Sequence, residues 1–205
     1  AADRVGATMM DRPEWIAANP KKSGEIYIAL TNNNRRGTSP ASANQVNGTT
    51  VAGSARPAAD DANPRADNQW GHVLRWNETG GDPTATSFSW DIFVVAGNPK
   101  ATTDRTNLRS GSANVTVENM FNSPDGLQFD ASGRLWIQTD GSFANTGNFD
   151  GQGNNQMLAA DVATGEIRRF LVGPSGCEVT GVTWTADRRT MFVNIQHPGE
   201  TVSER

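Results

Sequence analysis

The segment from Ser123 to Gly141, SPDGLQFDASGRLWIQTDG, constrains this chain more than any other, because its outline recurs. It reads as an acidic turn, a short strand, a turn bearing glycine, and a second strand. Asp125 to Ile137 aligns with Thr180 to Val193, apolar position on apolar position, with at most a one-residue slip. Upstream, Glu14 to Ile28 repeats the hairpin around a turn about two residues longer. Internal repeats fix an architecture that isolated motifs cannot.

The first two copies are each followed by another pair of strand-like runs. His72 to Trp76 and Phe88 to Val95 follow the first; Gln156 to Asp161 and Glu166 to Val172 follow the second, joined by Ala163-Thr164-Gly165. Short β-branched or alternating runs separated by Gly, Asn and Asp are hairpin signals, and four antiparallel strands per unit make a propeller blade. The sequence therefore predicts an all-β chain, a partial β-propeller of about two and a half four-stranded antiparallel blades with long loop insertions. One blade spans 12–96 and carries a loop insert at 32–68, a second spans 123–173, and a half blade spans 177–197. The inner hairpins fall at 14–31, 125–139 and 179–196. A closed ring needs at least about four blades, so the chain reads as a fragment of a longer protein or as one piece of a cut one. Open edges are expected at both ends, with Phe129, Trp184 and Phe192 covered by another copy or an unseen partner.

The 205 residues suffice for one domain with a sizeable core. With 18 basic against 22 acidic residues and a net charge of −4, nothing points to a nucleic-acid partner, which usually demands a basic surplus. The single cysteine, Cys177, excludes an internal disulfide framework and is expected to pack as a small apolar residue. No run approaches the roughly 20 apolar residues of a membrane helix, so no membrane span is expected. Residues 1–13 read equally as a short helical turn through Met9 and Met10 or as an irregular lead-in. The stretch 32–68, rich in Asn, Ala, Gly, Pro and Arg, is expected to bury little and form a long loop; 97–114 is similar. Such loops either decorate a binding face or lack order.

In a blade, residues just before the first strand and just after the second share one rim. That rule groups Arg12 and Glu14 with Thr31, Asn32 and Asn33. It likewise groups Asp125 with Asp140, and Glu178 with Gln196 and His197. Glu14 and Asp125 occupy equivalent places in the repeat, and Glu178 lies two residues earlier, so three carboxylates converge on one mouth of the channel. Crowded carboxylates repel unless a cation sits among them, and Asp, Glu and Asn oxygens suit calcium. The alternative is that Asp125 merely caps the Ser-Pro-Asp-Gly turn. Arg12 offers a planar fork for a phosphate-like anion, or pairs as a surface arginine with Asp11 or Glu14. His72 and His197 read as structural, one inside a strand pattern and the other just before a proline.

The segments Arg12-Pro-Glu-Trp15, Ile26 to Asn33, Trp70 to Trp76, Ser123-Pro-Asp-Gly126, Gly176 to Gly181 and Asn194 to Glu200 together resemble the C-terminal part of the PhoX-type alkaline phosphatases. The resemblance spans nearly the whole chain, and its first and last motifs are the specific ones. It implies a propeller phosphomonoesterase that holds iron and calcium and is exported, to the periplasm or beyond, typically through the twin-arginine route. It implies Arg12 as the substrate-phosphate arginine, Glu14 as a metal-bridging glutamate, and Asp125 and Glu178, with Asp140 beside them, as carboxylates around calcium. The family's cysteine ligand to iron lies before this chain, so Cys177 is not that ligand. Against the family pattern the N-terminal part of the same protein is missing, and a piece lacking the ligands that part would supply is expected to show little phosphatase activity alone. Two rivals share the fold: a calcium-dependent lactonase of the gluconolactonase type, and a non-catalytic binding propeller stabilised by calcium. Arg12 discriminates, since neither rival needs it.

Overall fold

The computed structural model describes residues 2–38, 56–106 and 108–199. Ten strands build three antiparallel sheets. The first sheet runs in the order β1 (Pro13–Ala18), β2 (Glu25–Leu30), β3 (His72–Glu78), β4 (Phe88–Val95). The second repeats that meander with β5 (Pro124–Phe129), β6 (Arg134–Thr139), β7 (Gln156–Asp161) and β8 (Ile167–Val172). The third is the pair β9 (Glu178–Trp184) and β10 (Met191–Gln196). Strand β1 packs beside β5, and β5 beside β9, so the first strand of each sheet faces a common axis. This is the all-β, partial propeller that the repeat demanded.

The inner hairpins turn by a shared device. Asn19, Asp130 and Asp187 each follow an inner strand and accept a backbone N–H two residues on: Lys21 N at 2.9 Å, Ser132 N at 2.9 Å and Arg189 N at 3.1 Å. Such Asx turns stabilise a tight reversal locally. Gly133 then takes φ 89°, a left-handed backbone that a side chain resists.

The core lies between the first and second sheets. Tyr27 stacks edge-on against Phe93 and Phe129, with ring centroids 5.3 Å away in both cases. Leu127, Leu135, Ile137 and Leu158 meet them from the second sheet. A smaller cluster joins Trp136 and Met157 to Val179 and Trp184 of the third sheet, the two indoles 5.8 Å apart. Phe129 is therefore covered by this chain's own Tyr27, contrary to the expectation that it needs an outside partner. Phe192, at 57% exposure, remains uncovered. A period-two pattern tells which residues share a face but not which face meets a neighbouring sheet.

Two loop expectations change. In the insert 32–68, residues 39–55 lie outside the described residues; the described ends are packed, not loose. Arg36, Asn63, Arg65 and Asn68 are buried. Arg36 Nε donates to Asp11 Oδ1 at 2.6 Å, Nη1 donates to Ala58 O at 2.7 Å, and Nη2 donates to Met9 O. Arg65 donates to Ala96 O at 2.8 Å, Leu108 O at 2.7 Å and Gly71 O at 3.1 Å, while its guanidinium lies 4.9 Å from the Trp70 ring. Polar side chains can be buried when their donors are used, a condition that composition does not reveal. The stretch 97–114 likewise buries Asn98 and Ser110. At the N-terminus a 3-10 turn covers Ala2–Val5, and Met9 and Met10 fall in an irregular lead-in.

Cys177 is buried, with Asn154 Nδ2 3.4 Å from its sulfur, and burial holds its thiol above the ordinary value. His72 is fully buried. Its Nδ1 accepts from Asn68 Nδ2 at 3.2 Å and its Nε2 faces Ala62 O at 2.8 Å. Burial pushes it down to about 4, so the neutral ring is a structural link.

Candidate active site

Three chain reversals at one end of the sheets build the rim. Arg12 stands before Pro13 and Ser123 before Pro124, and both have left-handed backbones, φ 50° and 51°. A non-glycine residue there stores of order 1–2 kcal/mol. Both are tied identically to the end of the next strand: Thr31 N donates to Arg12 O, and Asp140 N to Ser123 O, each at 3.1 Å. Arg12 and Ser123 are thus one position of the repeat, and Thr31 and Asp140 another. His197, just beyond β10, shares the conformation with φ 54°.

Every inner hairpin also breaks register near this end. The shifts lie between Pro13 and Ile16, between Pro124 and Leu127, and between Asn194 and Ile195. A bulge bends a strand and re-aims its side chains, and Glu14 and Asp125 sit inside the first two. In β9 the place of Pro13 and Pro124, opposite Leu30 and Thr139, belongs to Val179 opposite Ile195, and Glu178 precedes it opposite Gln196. Glu178 therefore shares the place of Arg12 and Ser123 and stands two residues ahead of the two acids, as the alignment has it.

Arg12 is the half-exposed cation of this rim. Its Nη1 donates to Asn32 Oδ1 at 3.2 Å and its Nη2 lies 3.5 Å from Glu14 Oε1. Asn32 Nδ2 passes the contact on to Ser123 Oγ at 3.2 Å. Thr31 Oγ1 donates to Pro124 O at 3.0 Å, which locks the first two inner strands together. The carboxylates answer one another. Asp125 is pushed up to about 6 by burial first, then by the charges of Glu14 and Asp140, with Arg12 pulling the other way. Glu178 is raised by burial and then by Asp140, with which it shares a hydrogen bond; Asp125 adds to this and His197 opposes it.

Arg12, Glu14, Asp125, Asp140 and Glu178 thus form one electrostatic group, with His197 at its margin. Among the described residues, no three His, Cys, Asp or Glu side chains close into a ready metal-binding group. Sequence reasoning missed Ser123 as a rim residue, although its place before Pro124-Asp125 mirrors Arg12 before Pro13-Glu14. Asp11, named there only as a possible partner of Arg12, pairs instead with Arg36, and its Oδ2 accepts from Asn68 Nδ2 at 2.9 Å, which anchors the residue beside Arg12.

Fold and rim together define a propeller-type chain whose mouth gathers carboxylates beside an arginine. Its sequence matches the profile of one family, Alkaline phosphatase PhoX, over residues 1–199. The chain belongs to the PhoX alkaline phosphatase family. Among solved structures it is similar to a Pseudomonas fluorescens PhoX in complex with vanadate, a transition state analogue, with a TM-score of 0.86 and 51% identity. The match covers 98% of this chain and 32% of that one. No curated protein matches at a significant level. Among the described residues no helix is long and apolar enough to cross a membrane.

Proposed function

We propose that this chain forms part of a metal-dependent phosphomonoesterase of the PhoX type, and that Arg12 binds the transferring phosphoryl group. The observation that carries this reading is the placement of Arg12. A guanidinium is held by Asn32 and Glu14 on a fixed left-handed backbone beside three further carboxylates. The related PhoX binds vanadate, and a fork of N–H donors suits such an oxyanion.

The donor set fits calcium: Glu14, Asp125, Asp140 and Glu178 supply anionic oxygen, and their mutual repulsion is relieved by a hard cation. Iron is implied by the family resemblance, with Glu14 as its contact in this chain and its remaining ligands elsewhere in the protein. Held by these carboxylates, such cations would supply positive charge to offset the phosphate oxygens and make phosphorus more electrophilic. The chain's own contribution is positioning. Pro13 fixes the backbone between Arg12 and Glu14. Asn32 and Glu14 orient the guanidinium, and Arg12 offsets the charge that builds on the phosphoryl oxygens.

In this reading residues 12–96 and 123–173 are two blades and 177–197 begins a third, the rest of the same protein completing the ring. Export to the periplasm or the medium accompanies the family assignment. In the full-length protein, Arg12→Ala should keep its metal content yet lower phosphomonoester turnover about a hundredfold, the scale of one lost transition-state partner. Glu14→Gln should lose metal and activity together. Unchanged phosphatase activity in Arg12→Ala, accompanied by lactone hydrolysis, would hand the site to a lactonase.

A further inference from the structure

A belt of polar contacts leads away from Arg12. It runs through Asn32 (3.2 Å) to Ser123 (3.2 Å) and on to the backbone of Asp140 (3.1 Å). Those same three residues form one wall of a groove of about 440 Å³ that Asn34, Gln69 and Phe149 also line. Its floor is fixed. The Phe149 ring lies 6.1 Å from that of Trp70, which is buried and donates through Nε1 to Asn148 O at 3.1 Å. Gln69 is oriented by Asn148, whose Nδ2 donates to its Oε1 at 2.9 Å, and by Asp67, which its own amide reaches at 3.0 Å. The groove is thus preformed, within the size range of small-molecule sites.

The chemistry of the wall is selective. Side-chain amides and the Ser123 hydroxyl both donate and accept, as a hydroxyl ligand does. Phe149 adds one flat apolar surface. Among the described residues no cationic side chain lines the groove, so a second negative charge on the ligand enters it without a partner. We infer that this groove is the subsite for the alcohol part of the phosphomonoester and that it takes an uncharged, hydroxyl-rich alcohol of the glycerol or hexose type. The inference rests on the phosphatase reading: with phosphate held at Arg12, the ester oxygen's substituent extends along Asn32 and Ser123 into the groove.

The test uses the metal-loaded full-length protein and measures kcat/KM for glycerol phosphate, a hexose phosphate, phosphoglycerate and phenyl phosphate, with inhibition by inorganic phosphate as a probe of the phosphate site alone. Glycerol phosphate should exceed phosphoglycerate by about tenfold or more, the size of leaving one charged group without its partner. Exposed Asn34 can be changed without disturbing the fold. Asn34→Lys should narrow that ratio severalfold, and Asn34→Trp should lower kcat/KM for the hexose ester by about tenfold, a loss of about 1.4 kcal/mol. Inhibition by inorganic phosphate should stay unchanged in both. Equal turnover of glycerol phosphate and phosphoglycerate, or Asn34 variants that move neither ratio, would overturn the subsite while leaving the phosphatase reading standing. Failure to hydrolyse phenyl phosphate together with no inhibition by inorganic phosphate would bring down the phosphatase reading itself, and the subsite with it.

Discussion

Replacing Arg36 by Met tests how the insert supports the rim. Arg36 and Asp11 both have fully buried side chains and pair at 2.6 Å. Without the guanidinium, Oδ1 of Asp11 loses its cation, and among the described residues only Asn68 Nδ2, at 2.9 Å from Oδ2, still donates to the carboxylate. The carbonyl of Ala58 loses its donor as well, while that of Met9 keeps Asn63 Nδ2, at 3.1 Å. Removing one partner of a buried pair costs about 3–5 kcal/mol, whereas replacing both with apolar groups is often neutral. Arg36→Met should therefore lower the stability of the full-length protein by about that amount in urea unfolding, and adding Asp11→Leu should restore much of it. Arg12 follows Asp11 directly, so the single variant should also weaken inhibition by inorganic phosphate. A loss below about 1 kcal/mol, or a double variant as unstable as the sum of the singles, would refute the reasoning.

Gly71 carries φ 76°, and a Cβ there would stand 2.0 Å from Thr31 O, backbone against backbone; Gly71→Ala should cost several kcal/mol or prevent folding, read by thermal unfolding. The depressed proton affinity of His72 sets a pH window: the folded ring binds its proton only near pH 4, the unfolded one near 6.5. Its contribution is intact above pH 6.5 and is lost as pH falls towards 4, by about 3 kcal/mol in all. His72→Gln should flatten that part of the stability profile.

The hairpins were legible because their turn chemistry is local. Asn19 and Asp130 occupy the same step after an inner strand, Gly133 marks the left-handed turn, and the alternation between them sets the faces. The equivalence of Glu14 and Asp125 followed from the same alignment. What was not legible depends on long-range closure. The burial of Arg36 and Arg65 requires carbonyl acceptors from residues 9, 58, 71, 96 and 108, and no local rule counts those. Phe129 and Phe192 look alike in sequence, yet Tyr27 covers the first alone.

The rim shows how a repeat acquires a site. Two successive sheets reuse the same frame: a left-handed residue, a proline, an acid inside a bulge, and a backbone bond back from the end of the next strand. The frame is paid for twice in backbone strain, but the side chain at its head differs. Arg12 places a guanidinium over the carboxylates, whereas Ser123 places a small hydroxyl that receives Asn32 and so braces Arg12 from the neighbouring sheet. A second arginine at Ser123 would have no room for that brace and would set two cations against each other. The difference between the repeats, more than their likeness, is therefore what gives this rim one anion-binding point directed towards one groove.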